Sequence, residues 1–144
     1  MATNRGKKKI AWDIRVTLRL VGFEGSPEEI TNLLGIQPTE TWRRDDPVPD
    51  TLLRRRDNCW MVAAPCEPTI PLGEQVDILL EFVLPAATRF ATLPPDVIVL
   101  LSCAVYDYTR DVVLALSKVA VQRLASLGAE IDIDYYDMSS TARD

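Results

Sequence analysis

Between Ile10 and Leu20 the chain alternates: Ile10, Trp12, Ile14, Val16, Leu18 and Leu20 are apolar, and Asp13, Arg15, Thr17 and Arg19 fall between them. Side chains two positions apart on a strand project to the same face, so this period predicts a first strand with one core face and one polar face. Val21-Gly22-Phe23-Glu24-Gly25 ends it, and a helix start follows. Ser26 can accept from the unpaired amides of a first turn, Pro27 suits a position that needs no donor, and Glu29 completes a Ser-x-x-Glu box. Ile30, Leu33 and Leu34 then share one side, Gly35 offers a left-handed exit, and Pro38 blocks continuation.

Residues 36–57 show no period. They hold Pro38, Pro47 and Pro49, the arginines Arg43, Arg44, Arg54, Arg55 and Arg56, and the acids Glu40, Asp45, Asp46, Asp50 and Asp57. A loop this long in a small domain is functional or disordered. Cys59–Ala63 reads as a second strand, with Trp60 and Val62 inward and Cys59 on the opposite side. Val76, Leu79, Leu80 and Val83 recur at helical spacing, which predicts a helix over 73–84 that Pro85 stops. The valine, leucine and isoleucine of 96–106 predict a central strand. A turn at 107–110 and a short strand at 112–114 precede a helix over 117–127, with Ala120, Leu124 and Leu127 inward and Gly128 as its end. In the final strand Ile131, Ile133 and Tyr135 alternate with Asp132, Asp134 and Tyr136. The order β-α-β-α-β-β-α-β predicts an α/β (α+β) domain: a mixed or largely antiparallel sheet with helices packed on one face. The domain is bounded at 10–136, between a flexible basic tail at 1–9 and a C-terminal tail at 137–144.

Composition adds exclusions. At 144 residues and 47% hydrophobic, the chain can bury one core. No apolar run approaches the roughly 18 residues of a membrane span, and the lysine-rich start lacks the pattern of a secretory signal. There is no histidine, which removes every Ser-His-Asp, Cys-His and histidine-ligated zinc arrangement. Cys59, Cys66 and Cys103 fit neither a disulfide framework nor a CxxC motif, so cytoplasmic residence with reduced thiols is expected. The net charge of −5 is uneven. Arg5, Lys7, Lys8 and Lys9 make the start basic, and the rest of the chain carries 12 basic against 21 acidic residues, which disfavours nucleic acid and favours a basic protein partner.

Two groups carry candidate chemistry. Glu130, Asp132 and Asp134 form a carboxylate row on one strand face; it can pair with Arg15 and Arg19, meet a partner, or serve a hard cation in metal-assisted hydrolysis. The loop arginines Arg43, Arg44, Arg54, Arg55 and Arg56 suit phosphate or carboxylate, with Trp42 as a flat contact surface, or they hold the loop together through local acids. No Gly-rich phosphate fingerprint is present. Tyr106, Tyr108, Tyr135 and Tyr136 form a tyrosine group where two strands end, and Tyr136 joins the candidate partner contacts.

The combined pattern resembles the bacterial DUF4279 family of uncharacterised domains. The residues that carry it are a first strand ending at Phe23, Ser26-Pro27-Glu28-Glu29-Ile30-Thr31, Leu34-Gly35-Ile36-Gln37-Pro38-Thr39, Trp60, the Leu79-Leu80 helix, and Leu127-Gly128-Ala129-Glu130-Ile131-Asp132-Ile133-Asp134. The likeness covers about 12–136. It implies a compact noncatalytic binder without cofactor, of a kind found in toxin-immunity and other conflict systems. The expected partner is a protein, such as a basic toxin or effector, with self-association also open. Where the family often carries glycine after the Pro-Thr segment, this chain has Arg43-Arg44-Asp45-Asp46-Pro47, and no catalytic residue carries over. The alternatives are a small-anion sensor built on the loop arginines and a metal-assisted hydrolase on the acidic strand.

Overall fold

The alternating segment becomes strand β1 (Trp12–Val21), whose Ile14, Val16, Leu18 and Leu20 are wholly buried while Arg15 stays exposed. The computed structural model describes residues 10–141. The chain continues through α1 (Pro27–Leu34), β2 (Glu40–Trp42), β3 (Cys59–Ala63), α2 (Leu72–Val83), a 3₁₀ run (Leu84–Thr92), β4 (Ile98–Asp107), α3 (Lys118–Ser126) and β5 (Ala129–Asp137). The five strands form one mixed sheet in the order β2-β3-β1-β4-β5. β1 lies antiparallel to both β3 and β4, while β5 runs parallel to β4. A parallel neighbour requires the chain to return to the end where it began, and α3 makes that crossover.

The helix starts behave as their sequences dictate. Ser26 Oγ accepts from Glu29 N at 3.3 Å, and Ser117 Oγ accepts from Ala120 N at 3.1 Å. Gly35 takes φ 69°, in the left-handed region where a Cβ is disfavoured. Arg89 donates to Leu34 O at 3.2 Å, so a distant cation meets a carbonyl left unpaired at the end of α1.

The core lies between the sheet and the helices. Trp60 and Val62 of β3 and Val99, Leu101, Cys103 and Val105 of β4 meet Ile30, Leu34, Val76, Leu79, Leu80, Ala120 and Leu124 from the helices. Trp60 also donates its indole N–H to Thr31 Oγ1 at 3.0 Å, which fixes α1 on β3. The mixed sheet with helices on one face is as expected.

Four local expectations change or are extended. Residues 36–57 contain β2, a three-residue strand too short to show a period. The α-helix α2 ends at Val83, just before Pro85, as expected, but the chain continues as a 3₁₀ run with Pro85 in its first turn, where a missing donor costs little. Residues 112–114 form no strand, because β5 occupies the place beside β4 and Val113 and Leu114 are left exposed. Cys59 is buried on the face opposite Trp60. The basic tail at 1–9 lies outside the described residues.

Candidate functional site: the uncovered face of the sheet

With the helices on one side, the odd-numbered residues of β1 face the other. Pairing places Glu40, Met61, Arg19, Leu100 and Glu130 in one row across the sheet. The next row holds Ala63, Thr17, Ser102 and Asp132, and a third holds Arg15, Ala104 and Asp134. Arginines therefore lie at the centre of this face and carboxylates near both edges.

A groove of about 500 Å³ opens here, lined among others by Arg15, Thr17, Arg19, Glu40, Met61 and Ser102. Its cause is a divergence of strands. β3 is registered on β1 only at Thr17–Val21, and the following segment stays attached by Ala64 N to Val16 O at 2.9 Å and Ile14 N to Pro68 O at 2.8 Å. Gln75 spans the opened end, donating to Ile14 O at 2.8 Å and Ile70 O at 2.9 Å. Those bonds satisfy a buried side chain and buried carbonyls together.

The arginines on β1 differ in their partners. Arg15 binds Asp13, two residues away on the same face, at 3.1 Å. Asp13 holds the Arg15 guanidinium above its ordinary pKa, by hydrogen bond first and charge second. Arg19 donates Nε to Thr17 Oγ1 at 3.2 Å and, among the described residues, forms no ion pair. The expected pairing of Arg15 and Arg19 with Glu130, Asp132 and Asp134 is absent. β4 lies between them, which separates β1 from β5 by two strand spacings, roughly 10 Å. Among the described residues those three acids form no ion pair, and no group of three or more acidic or cysteine side chains converges as a metal site.

The loop arginines gather at the opposite edge. Residues 43–58 extend the β2–β3 pair as a hairpin, with Asp45 N on Arg55 O at 2.9 Å, Arg55 N on Asp46 O at 2.8 Å and a bridge between Pro47 and Arg54. Arg43 reaches Glu28 at 2.8 Å, Arg44 reaches Glu24 at 3.2 Å, and Arg54 donates to Asp45 O at 3.2 Å. The Arg55 guanidinium lies 3.8 Å from the Trp42 ring centroid, a cation–π stack, and its Nε is buried without a partner. Only Arg56 is exposed without a side-chain contact among the described residues. Asn58 holds the base of the hairpin: its amide donates to Phe23 O at 2.7 Å and Gly25 O at 3.0 Å, while its carbonyl accepts from Arg44 N at 2.8 Å. None of the five arginines lines the groove.

Trp42 lies opposite Cys59 across β2 and β3. Beneath Trp42 and Arg55 the thiol is fully buried, and burial pushes its pKa up to about 11. Burial likewise pushes the Cys103 thiol up to about 12. Neither sulfur is a thiolate at neutral pH, so neither has nucleophilic character.

At the far end of β4 and β5 the tyrosines divide between faces. Tyr136 stacks on Tyr106 on the uncovered face, with ring centroids 4.9 Å apart. Tyr135 lies on the other face and donates to Asp107 at 2.8 Å. Asp107 is buried, and burial alone would raise its carboxyl pKa; donors from Thr109, Tyr135 and Val112 outweigh that and hold it below the usual range. The carboxylate is saturated by structural donors, which is a turn anchor rather than an acid or base.

The predicted site residues thus fall into two groups at opposite edges of the sheet: Trp42, Arg43, Arg44, Arg54, Arg55 and Arg56 beside β2, with Arg43 and Arg44 turned to acids in and just before α1, and Glu130, Asp132, Asp134 and Tyr136 on β5. The groove between them and the fully exposed Leu52 at the hairpin tip were not anticipated. The Leu52-Leu53 pair in an otherwise polar loop was the available signal for the tip. No helix among the described residues is long and apolar enough to cross a membrane. Neither a curated protein nor a solved structure matches the chain. The family model described as Domain of unknown function (DUF4279) matches residues 12–138, and on that match the chain belongs to the DUF4279 family.

Proposed function

We propose that this domain is a noncatalytic protein-interaction module that binds through the uncovered face of its sheet. The observation that carries the reading is that a five-stranded sheet is covered by helices on one face only, leaving a cationic centre and an unpaired acidic edge exposed on the other, while the apolar tip of the hairpin stands exposed at the β2 edge. Large exposed faces of mixed apolar and charged character fit protein partners better than enclosed small-molecule sites. The acidic excess outside the N-terminal tail suits a basic partner, and the likeness to conflict-system domains makes an immunity-like inhibitor of a bacterial toxin the specific form proposed, acting in the cytoplasm. Affinity capture at moderate salt, followed by hydrogen exchange on the recovered complex, tests it. Protection of β1, β4 and β5 amides is expected; protection confined to the helical face, or no retained protein, would sink the reading.

A second reading rests on Arg19. Its guanidinium carries no ion pair and lines a groove whose volume is in the range of ligand sites, so a small carboxylate or phosphate ligand fits better here than at the loop arginines. Calorimetric titration with inorganic phosphate checks it: binding that disappears in Arg19→Gln supports a small-anion sensor, and no heat in the parent protein ends it.

A further inference from the structure

β5 is an edge strand, and its two faces differ. Ile131, Ile133 and Tyr135 stand exposed on the helix side at 44%, 38% and 45%, although their row neighbours on β4 are buried. Glu130, Asp132 and Asp134 stand on the other side. Met138 N donates to Asp107 O at 2.7 Å, which sets the phase of the parallel ladder. Even-numbered residues therefore turn their backbone groups to β4, and Ile131, Ile133 and Tyr135 turn theirs outward. Among the described residues those outward groups have no backbone partner. A nine-residue edge with an apolar row on one face and unpaired N–H and C=O groups along its length is a template for an added strand.

We propose that the free edge of β5 accepts an extended segment of a protein partner in which Lys or Arg alternates with apolar residues. This rests on the interaction reading above and names the chemistry of the partner. Charge decides the occupant. A twofold antiparallel pairing of β5 with its own copy keeps all acids on one face. The register centred on Ile133 would set Asp132 of each copy against Asp134 of the other, and like charges directly opposite are destabilising. A segment with cations at those positions turns each repulsion into an attraction, while its apolar residues cover Ile131, Ile133 and Tyr135. Added-strand recognition of this kind draws affinity from main-chain bonds and specificity from alternate side chains.

The probe is a capped heptapeptide alternating valine with lysine, titrated onto the whole protein and followed by amide hydrogen exchange. About tenfold slower exchange at Ile131, Ile133 and Tyr135 is expected, since outward amides gain acceptors. Asp132→Asn with Asp134→Asn should weaken binding about tenfold, and Ile133→Pro should remove it, because it deletes an outward donor together with one side chain of the apolar row while leaving the ladder to β4 intact. A peptide alternating valine with glutamate should not bind. The proposal is overturned if an N-methylated valine-lysine peptide binds as well as the parent peptide, because attraction would then be charge alone. It is equally overturned if the protein sediments as a dimer with β5 amides already protected. If the peptide fails while a captured protein protects the centre of the uncovered face, the interaction reading stands and the β5 assignment falls.

Discussion

The two edges of the sheet are built in opposite ways. Beside β2 the chain extends into a hairpin tied to the body by Asn58, by the Arg43–Glu28 and Arg44–Glu24 pairs, and by Arg55 stacked on Trp42. Beside β5 no strand or hairpin among the described residues covers the edge, and Glu130, Asp132 and Asp134 are unpaired, Asp137 at its end alone meeting an arginine, Arg110, at 3.1 Å. The arginine-rich edge looks reactive in sequence yet spends most of its cations on its own scaffold. The acidic edge keeps its charge and its backbone groups available. A row of charges therefore says little about recognition until its internal partners are known.

The sharpest way to break this contrast is Asn58→Ala. It leaves two carbonyls and one amide at the hairpin base without their partner; Phe23 is buried, while Gly25 and Arg44 are exposed and water can replace the lost bonds there, so the cost is about 2 kcal/mol. Urea unfolding measures it; a loss near zero would mean the hairpin is not held from its base. Arg55→Ala should cost less, about 1 kcal/mol, from the lost cation–π contact. Its more telling readout is alkylation of Cys59, expected to rise as the cover over the thiol opens. Unchanged labelling would place the cover elsewhere.

Much of this architecture was legible in the chain. β1, the capped α1, the Trp60 strand and the inward face of α3 follow from period and capping, which are local properties of contiguous residues. Strand order is not local, and it decided the site. Arg15 and Arg19 were expected to meet the acids of the last strand, but β4 intervenes and Arg15 turns to Asp13 instead. Cys59 reads as an outward residue by alternation, and it is buried because Trp42 and Arg55 arrive from elsewhere in the chain. Glu40-Thr41-Trp42 has too few residues to declare a strand, so β2 and the hairpin it launches stayed hidden within a long polar loop.

A smaller effect sharpens how β5 is held at its end. Asp107 sits below its ordinary pKa, so its contribution is present above the usual carboxylate range and is lost as pH falls below about 4. Tyr135 sits above its ordinary pKa through its hydrogen bond to Asp107, so its contribution is present below about 10 and is lost as pH rises through the elevated value. Tyr135→Phe removes the shared bond. The urea midpoint should then vary less with pH on both flanks, and profiles that superimpose on the parent would show that the bond does not anchor the strand.

The smallest change in stability is expected at the bare edge itself. Asp132→Asn with Asp134→Asn breaks no ion pair among the described residues and relieves repulsion between acids two apart on one strand face, so stability should move by no more than about 0.5 kcal/mol. The sign should favour the variant, and added salt should shrink the difference because exposed charges are screened. Urea unfolding of parent and variant at low and high ionic strength measures both. A loss above about 1 kcal/mol would mean that the acids serve the fold after all, as a structural pair would, and the two edges would then be braced alike.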